Sequence, residues 1–233
     1  LPRLAAEAKK FNLVIDMMVT AILSPDDPFA ENILKTAASS GVTHYRLGWA
    51  EYNDEKGILG TIQEYKHALT GVAGLNKKYR IHGGYQNHAG ARIGGPVWDL
   101  YELLKDLPPE NIGCQYDVRH AMVEGANSWV LGMKLLAPYI KTLAIKDFTW
   151  QIVKGKPAAV TVPMGEGMVN WDLYFKTIKE LNLTAPMTLH VEYPLFTKAE
   201  ESYPLARKQD IIVVKFKKDI DFLNGYLSKY GLA

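Results

Sequence analysis

Five segments of this chain alternate so that one strand face is apolar and the other polar or small, and this pattern limits the fold more than any other feature. In MTLHVEY (187–193), Leu189 and Val191 share one face while Thr188, His190 and Glu192 share the other. In KTLAIKD (141–147), Leu143 and Ile145 oppose Thr142, Ala144 and Lys146. IGCQYD sets Cys114 and Tyr116 against Gly113, Gln115 and Asp117, and THYRLG sets Tyr45 and Leu47 against His44, Arg46 and Gly48. HGGYQNH places His82, Gly84, Gln86 and His88 together. Alternate side chains of a strand share a face. The central strands of a doubly wound sheet are apolar on both faces, and these are not. With helices over the apolar faces, the polar faces must meet one another, as they do in a closed barrel with a polar interior.

The rhythm of the chain agrees. Helical patterns over 3–10, 28–41, 58–78, 97–107, 128–140, 170–183 and 208–231 alternate with strand patterns over 12–19, 42–49, 79–88, 112–118, 141–148 and 187–193. Asp26 or Asp27 is placed to cap the second helix, Gly41 to close it, and Asn170 to cap the helix that begins at Trp171. No hairpin signal joins consecutive strands, which argues for βα units on a parallel sheet. Without a linker or composition break, the whole of 1–233 is expected to be a single domain. Its 48% hydrophobic and 22% charged residues match an ordinary globular protein. A net charge of +2 is too small to argue for nucleic acid or a membrane surface as partner. The lone Cys114 cannot form an intrachain disulfide, which leaves the compartment, cytoplasmic or exported, open. No apolar run is long enough to span a bilayer. The chain starts at Leu1, in what reads as the middle of a helix, so the expectation is that it begins inside a longer protein.

In such barrels chemistry sits at the C-terminal strand ends and in the loops that follow. The polar residues there are His88, Asp117, Lys146 and Glu192, with Arg46 slightly deeper and His120 in the next loop. Five of six histidines, all but His67, fall on the polar face or just beyond a strand end. Carboxylates, imidazoles and a lysine suit proton abstraction beside a carbonyl, or metal-assisted work on a polyol. Lys146 could balance Asp117 or Glu192 as an ion pair, or act as a base or Schiff-base nucleophile. Asp147 faces the other way and is expected to fix a loop. Arg46 could hold a substrate phosphate or carboxylate through paired hydrogen bonds, or balance an inward carboxylate. Trp49 and Trp150 follow strand ends and are the candidates for an aromatic platform beneath a sugar ring, packing being the ordinary role of each.

The runs YQNHAG, CQYDVRHA, LAIKDF, VPMGEGMVNW and LHVEYP, in that order, resemble the xylose-isomerase-like TIM-barrel superfamily, whose members are commonly sugar phosphate isomerases or epimerases. The resemblance implies a (β/α)8 barrel. Six strands are visible and NLVIDMMV fits the third of eight, so two N-terminal βα units are expected to be absent, leaving open edges that a neighbouring chain of a homo-oligomer or a further segment could close. The resemblance implies a divalent metal (Mn, Zn, Fe, Co or Mg) and no nucleotide cofactor. Asp117 and Glu192 match two ligand slots. The other two hold Gln86, a weaker neutral ligand, and Ala144, which cannot bind; His88, His120 or His190 could substitute. It also implies that the loop around Glu166 rims the substrate site, beside Gln86, His120 and His190. The expected activity is a carbohydrate isomerase or epimerase, with Glu192, Asp117, Lys146 and His88 as its catalytic candidates. A lyase or hydratase on a keto-sugar or glycoside, and a non-catalytic sugar-binding protein, are the alternatives.

Overall fold

The computed structural model describes residues 1–232, which form two compact units that divide after Leu143. In the first unit, helices α1 (Pro2–Lys9), α2 (Ala30–Ser39), α3 (Gly57–Tyr79), α4 (Val97–Leu104), α5 (Val118–Gly125) and α6 (Trp129–Leu136) alternate with strands β1 (Met17–Val19), β2 (His44–Arg46), β3 (His82–Gln86) and β4 (Ile112–Asp117). Strand β5 (Ile140–Ile145) begins in this unit. The strands lie in sequence order. The pairs β1–β2, β2–β3 and β3–β4 are parallel, with His44 opposite Met17 and His82, and Gln86 opposite Gln115.

The apolar strand faces meet the helices. Leu34, Leu47, Leu69, Leu100, Leu103 and Leu143 are fully buried, and each such side chain contributes about 2 kcal/mol of transfer free energy. Polar tips on this face find partners. Tyr45 Oη donates to Asn76 Oδ1 of α3 at 2.8 Å, and Tyr116 Oη donates to the Trp129 carbonyl at 3.0 Å. Gly83 is required here, because a Cβ would lie 2.8 Å from Asn76 Nδ2 and 2.9 Å from Tyr45 Oη. On the opposite face Gln115 and Thr142 flank Gly84.

The second unit carries the end of β5, then β6 (Asp147–Val153), β7 (Lys156–Val162), α7 (Trp171–Glu180), β8 (Met187–Leu189) and α8 (Leu205–Tyr230). The His190 N–H donates to the Ile145 carbonyl at 2.9 Å. Rings knit α7 to α8, with Phe175 stacked on Tyr226 at 5.2 Å and Trp171 edge-on to Phe222 at 5.9 Å. Asn170 caps α7 by accepting from the Leu173 N–H at 3.0 Å, as expected.

Four local expectations are corrected. The long loop after Lys146 is a β-hairpin, β6 against antiparallel β7, in register from Asp147–Val162 to Val153–Lys156. Its turn is Lys154–Gly155, with φ of +50° and +77°. Two consecutive positive φ values suit the right-handed twist of flanking strands, and Lys in the first position hid the usual Asn-Gly signal. Residues 118–125, read as a loop, form α5. The first strand is only Met17–Val19. Asp27 does not cap α2, whose N-cap residue is Phe29. Its carboxylate instead folds back on the preceding loop, accepting from the Leu23 and Ser24 N–H groups at 2.6 and 3.0 Å.

Candidate functional site

Strand β4 ends on Asp117, whose extended backbone turns directly into α5. One carboxylate oxygen, Oδ1, accepts from the His120 N–H at 3.2 Å and so caps that helix. The other, Oδ2, accepts from Gln86 Nε2 at 2.8 Å and lies 3.8 Å from His120 Nε2. Asn87 clamps the same strand end, donating to the Asp117 carbonyl and accepting from the Asp117 N–H at 2.9 and 2.7 Å. Asp117, Gln86 and Asn87 are buried.

A row of planar groups continues from Asp117. The His120 ring lies 3.9 Å from that of His88, and His88 lies 4.6 Å from Trp49. The Arg46 and Arg92 guanidiniums lie 4.1 and 5.1 Å from the Trp49 ring centre. Arg119 Nη1 is 2.9 Å from His120 Nδ1. A guanidinium only donates, so that imidazole nitrogen accepts and the His120 proton sits on Nε2. Six expected residues of the first unit (Arg46, Trp49, Gln86, His88, Asp117 and His120) are therefore brought together, with His120 on the first turn of α5 instead of in a loop.

In the second unit Lys146 is 2% exposed, and its Nζ donates to Glu192 Oε2 at 3.0 Å. The other carboxylate oxygen, Oε1, is 3.3 Å from His190 Nδ1. The His190 hydrogen bond and the Lys146 charge hold the Glu192 carboxyl far below its ordinary range. Of the two roles open to Lys146, the ion pair is observed, with Glu192. Asp147 fixes the following loop, accepting from the Gly165, Gly167 and Val169 N–H groups, each at 3.1 Å, and from Trp171 Nε1 at 3.0 Å.

Other expected residues are placed elsewhere. His44 and His82 begin their strands, at the end opposite the candidate groups, with ring centres 5.8 Å apart. His82 Nε2 is 3.1 Å from the Pro109 carbonyl, and burial pushes this histidine down to about 4. Trp150 stands half-exposed within the hairpin, packed edge-on against Phe148. Glu166 pairs at 2.5 Å with Lys218 of α8, a surface ion pair. Three residues of the first cluster escaped the sequence reading: Asn87, Arg92 and Arg119. Each adjoins or closely follows a candidate in YQNHAGAR or DVRH, and that proximity is the only sequence signal they carry.

The metal-ligand slots do not fit a divalent cation as they stand. Among the described residues no three His, Cys, Asp or Glu side chains are grouped to hold one. Gln86 presents an amide N–H to Asp117, Asp117 already serves two donors, and Glu192 is held by an ammonium group and an imidazole. Ala144 offers no donor atom.

Known folds agree with this architecture. A xylose isomerase domain protein from Planctomyces limnophilus aligns with a TM-score of 0.71 at 15% identity, covering 99% of this chain and 84% of that one. An L-ribulose 3-epimerase aligns with a TM-score of 0.69 at 14% identity, covering 98% and 80%. The IOLI protein, solved with a bound zinc atom, aligns with a TM-score of 0.72 at 16% identity, covering 97% and 82%. Nothing among curated protein sequences matches the chain. Six strands of the barrel pattern, β1 to β5 and β8, stand among the described residues where the full fold has eight. The family model described as xylose isomerase-like TIM barrel matches residues 4–209, and the chain belongs to that family.

Proposed function

We propose that this chain is a carbohydrate isomerase or epimerase that moves a proton on a carbon next to a carbonyl, and that Lys146, Glu192 and His190 carry the step. The observation that carries the reading is the buried Lys146 ammonium bound to Glu192, whose other oxygen holds His190 Nδ1. A carboxylate only accepts, so Nδ1 carries the proton in the neutral ring and Nε2 is left as the acceptor. That is the arrangement of an imidazole general base oriented by a carboxylate. Glu192 steadies the imidazolium as it forms, and the Lys146 ammonium polarises the carbonyl oxygen and takes up charge developing on the enediolate. For isomerisation the proton returns from Nε2 to the neighbouring carbon on the same face, while the hydroxyl proton passes to the former carbonyl oxygen; for epimerisation the enediolate must turn over in the site before Nε2 returns the proton to the same carbon. These groups lie at the C-terminal ends of β5 and β8, where barrels of this fold carry their chemistry. The names of similar folds support the reaction class: an L-ribulose 3-epimerase and a D-psicose 3-epimerase are among them. No step is routed through a metal, because the donor set does not fit one.

A lyase is the second reading, favoured by the similar fold of a probable 3-DHS dehydratase, at a TM-score of 0.60. It needs the same base and the same polariser. Keto- and aldo-sugars incubated with the protein in heavy water separate the readings. An isomerase or epimerase washes deuterium into the carbon beside the carbonyl and keeps every carbon and oxygen of the sugar, while a dehydratase yields a product lighter by water. His190→Ala should slow exchange by about a hundredfold or more, the usual worth of a positioned base. Exchange at wild-type rate in His190→Ala and Lys146→Met would refute the assignment.

A further inference from the structure

The planar row in the first unit holds three buried donors that have no acceptor among the described residues: Arg46 Nη1, Trp49 Nε1 and Arg92 Nε. All three belong to groups gathered on one indole ring, with the two guanidinium carbons 4.1 and 5.1 Å from its centre. Arg46 closes β2 and Arg92 lies in the loop after β3, both at the strand ends where this fold binds ligands. Two like charges beside one ring repel, and a buried donor without an acceptor costs free energy. Their carboxylate supply is thin. Glu51 approaches only Arg92, through Nη2 at 3.6 Å, and its own side chain is 66% exposed. Burial without a facing anion lowers the Arg46 guanidinium from its ordinary value. Every one of these terms is relieved by an incoming oxyanion, and guanidiniums are shaped to take phosphate or carboxylate oxygens in pairs.

We propose that Arg46, Arg92 and the Trp49 indole N–H form a binding site for an oxyanion, a phosphate or carboxylate group carried by a small ligand. The site stands on the first unit alone and does not rest on the reaction proposed above. Arg46 and Arg92 bind the charged oxygens, the indole N–H adds a third hydrogen bond, and His88, packed against the same ring, steadies the platform.

Two measurements on the whole chain test it. The first is thermal melting of the wild-type protein with inorganic phosphate against sodium chloride of equal ionic strength. A ligand that binds only the folded state raises the melting temperature. Melting that phosphate raises no more than chloride does overturns the site. The second is calorimetric titration with glucose phosphate, glucuronate and glucose. The proposal expects one of the two anionic sugars to bind at least about tenfold tighter than glucose, and Arg46→Gln or Arg92→Gln to remove about tenfold of that affinity, the scale of one charge-assisted hydrogen bond. Arg46→Lys should keep part of it. The tighter anion names the source, phosphate or carboxylate. Glucose binding as well as both anions, or anion affinity unchanged in both glutamine variants, overturns the proposal. Deuterium exchange on neutral sugars without anion binding sinks this inference and leaves the proposed reaction standing; anion binding without exchange does the reverse.

Discussion

Asp147 is the side chain whose removal should unfold the second unit most readily. It is fully buried, and five donors converge on it. Oδ1 accepts from Phe148 N at 2.8 Å and Val169 N at 3.1 Å, and Oδ2 accepts from Gly165 N, Gly167 N and Trp171 Nε1. One carboxylate thereby ties the start of the hairpin to the loop before α7 and to the first residue of that helix. In Asp147→Asn one oxygen becomes an NH2 group, whichever way the amide settles. Two or three N–H donors then face another donor. Each stranded buried donor costs about 1–3 kcal/mol, so the loss should be about 3 kcal/mol or more. Asp147→Ala strands all five and should cost more still, though less than five separate penalties, because the loop can relax and admit water. Gly167→Ala should fail in the same place, since its Cβ would collide with the Asp147 carboxylate. Urea unfolding followed by tryptophan fluorescence and circular dichroism measures the difference, with the unchanged slope confirming a true stability change. An Asp147→Asn protein within about 0.5 kcal/mol of wild type, the scatter of ordinary surface changes, would refute the idea that this carboxylate organises the loop.

Three further expectations concern the first unit and the proposed reaction. His82 is pushed down to about 4 from 6.5 by burial, so its stabilising share is whole above pH 6.5 and is lost as pH falls towards 4, about 3 kcal/mol in all. Asp99, buried and hydrogen-bonded to Tyr52, is raised by burial to about 6 from 3.8, so its share is whole below pH 3.8 and is lost as pH rises to 6, again about 3 kcal/mol. The two slopes oppose one another, and denaturant melts between pH 4 and 6 should show Asp99→Asn losing stability with acid more steeply than wild type; parallel curves would contradict the Asp99 assignment. Gln86→Glu sets a second carboxylate 2.8 Å from Asp117 Oδ2, which should lower the melting temperature at neutral pH and make it recoverable with manganese, whereas wild type should gain little from the metal. Lys146→Met leaves Glu192 without its cation, and should reduce turnover more than it reduces substrate affinity if the ammonium acts on the developing enediolate.

The fold was legible because it rests on periodicity. The apolar faces of β2 to β5 predict the helix side, and Tyr45, Tyr85 and Tyr116 do lie buried there. The hairpin was illegible for a local reason. In TWQIVKGKPAAV the Lys-Gly turn lacks the usual asparagine, and the proline in β7 reads as a strand breaker. Helix α5 was hidden because only eight residues, with a histidine and an arginine in the first turn, carry its pattern. Histidine positions were legible as a face and not as a depth. The same face that holds His82 at the start of β3 leads to Gln86 at its end, and only one of these ends bears the candidate chemistry.

The ligand slots teach a sharper lesson about what a family pattern can carry. Asp117 and Glu192 keep the residue types of metal ligands, so by motif alone they read as half a metal site. Their neighbours decide otherwise. A carboxylate is satisfied by a cation, by N–H donors or by an ammonium group, and each lone pair serves one of these uses at a time. Where one slot becomes Gln86, the amide turns its N–H towards Asp117 and removes an acceptor from the set. Where another becomes Ala144, Lys146 two residues on, on the same face of β5, supplies the positive charge for Glu192. The proposed loss of the metal and gain of a buried ammonium are then one change read at two positions, and the manganese response of Gln86→Glu and the kinetic defect of Lys146→Met test its two halves separately. If wild type already binds manganese tightly and Asp117→Ala and Glu192→Ala each lose it, the carboxylates are ligands after all, and the ammonium has been assigned work that belongs to a cation.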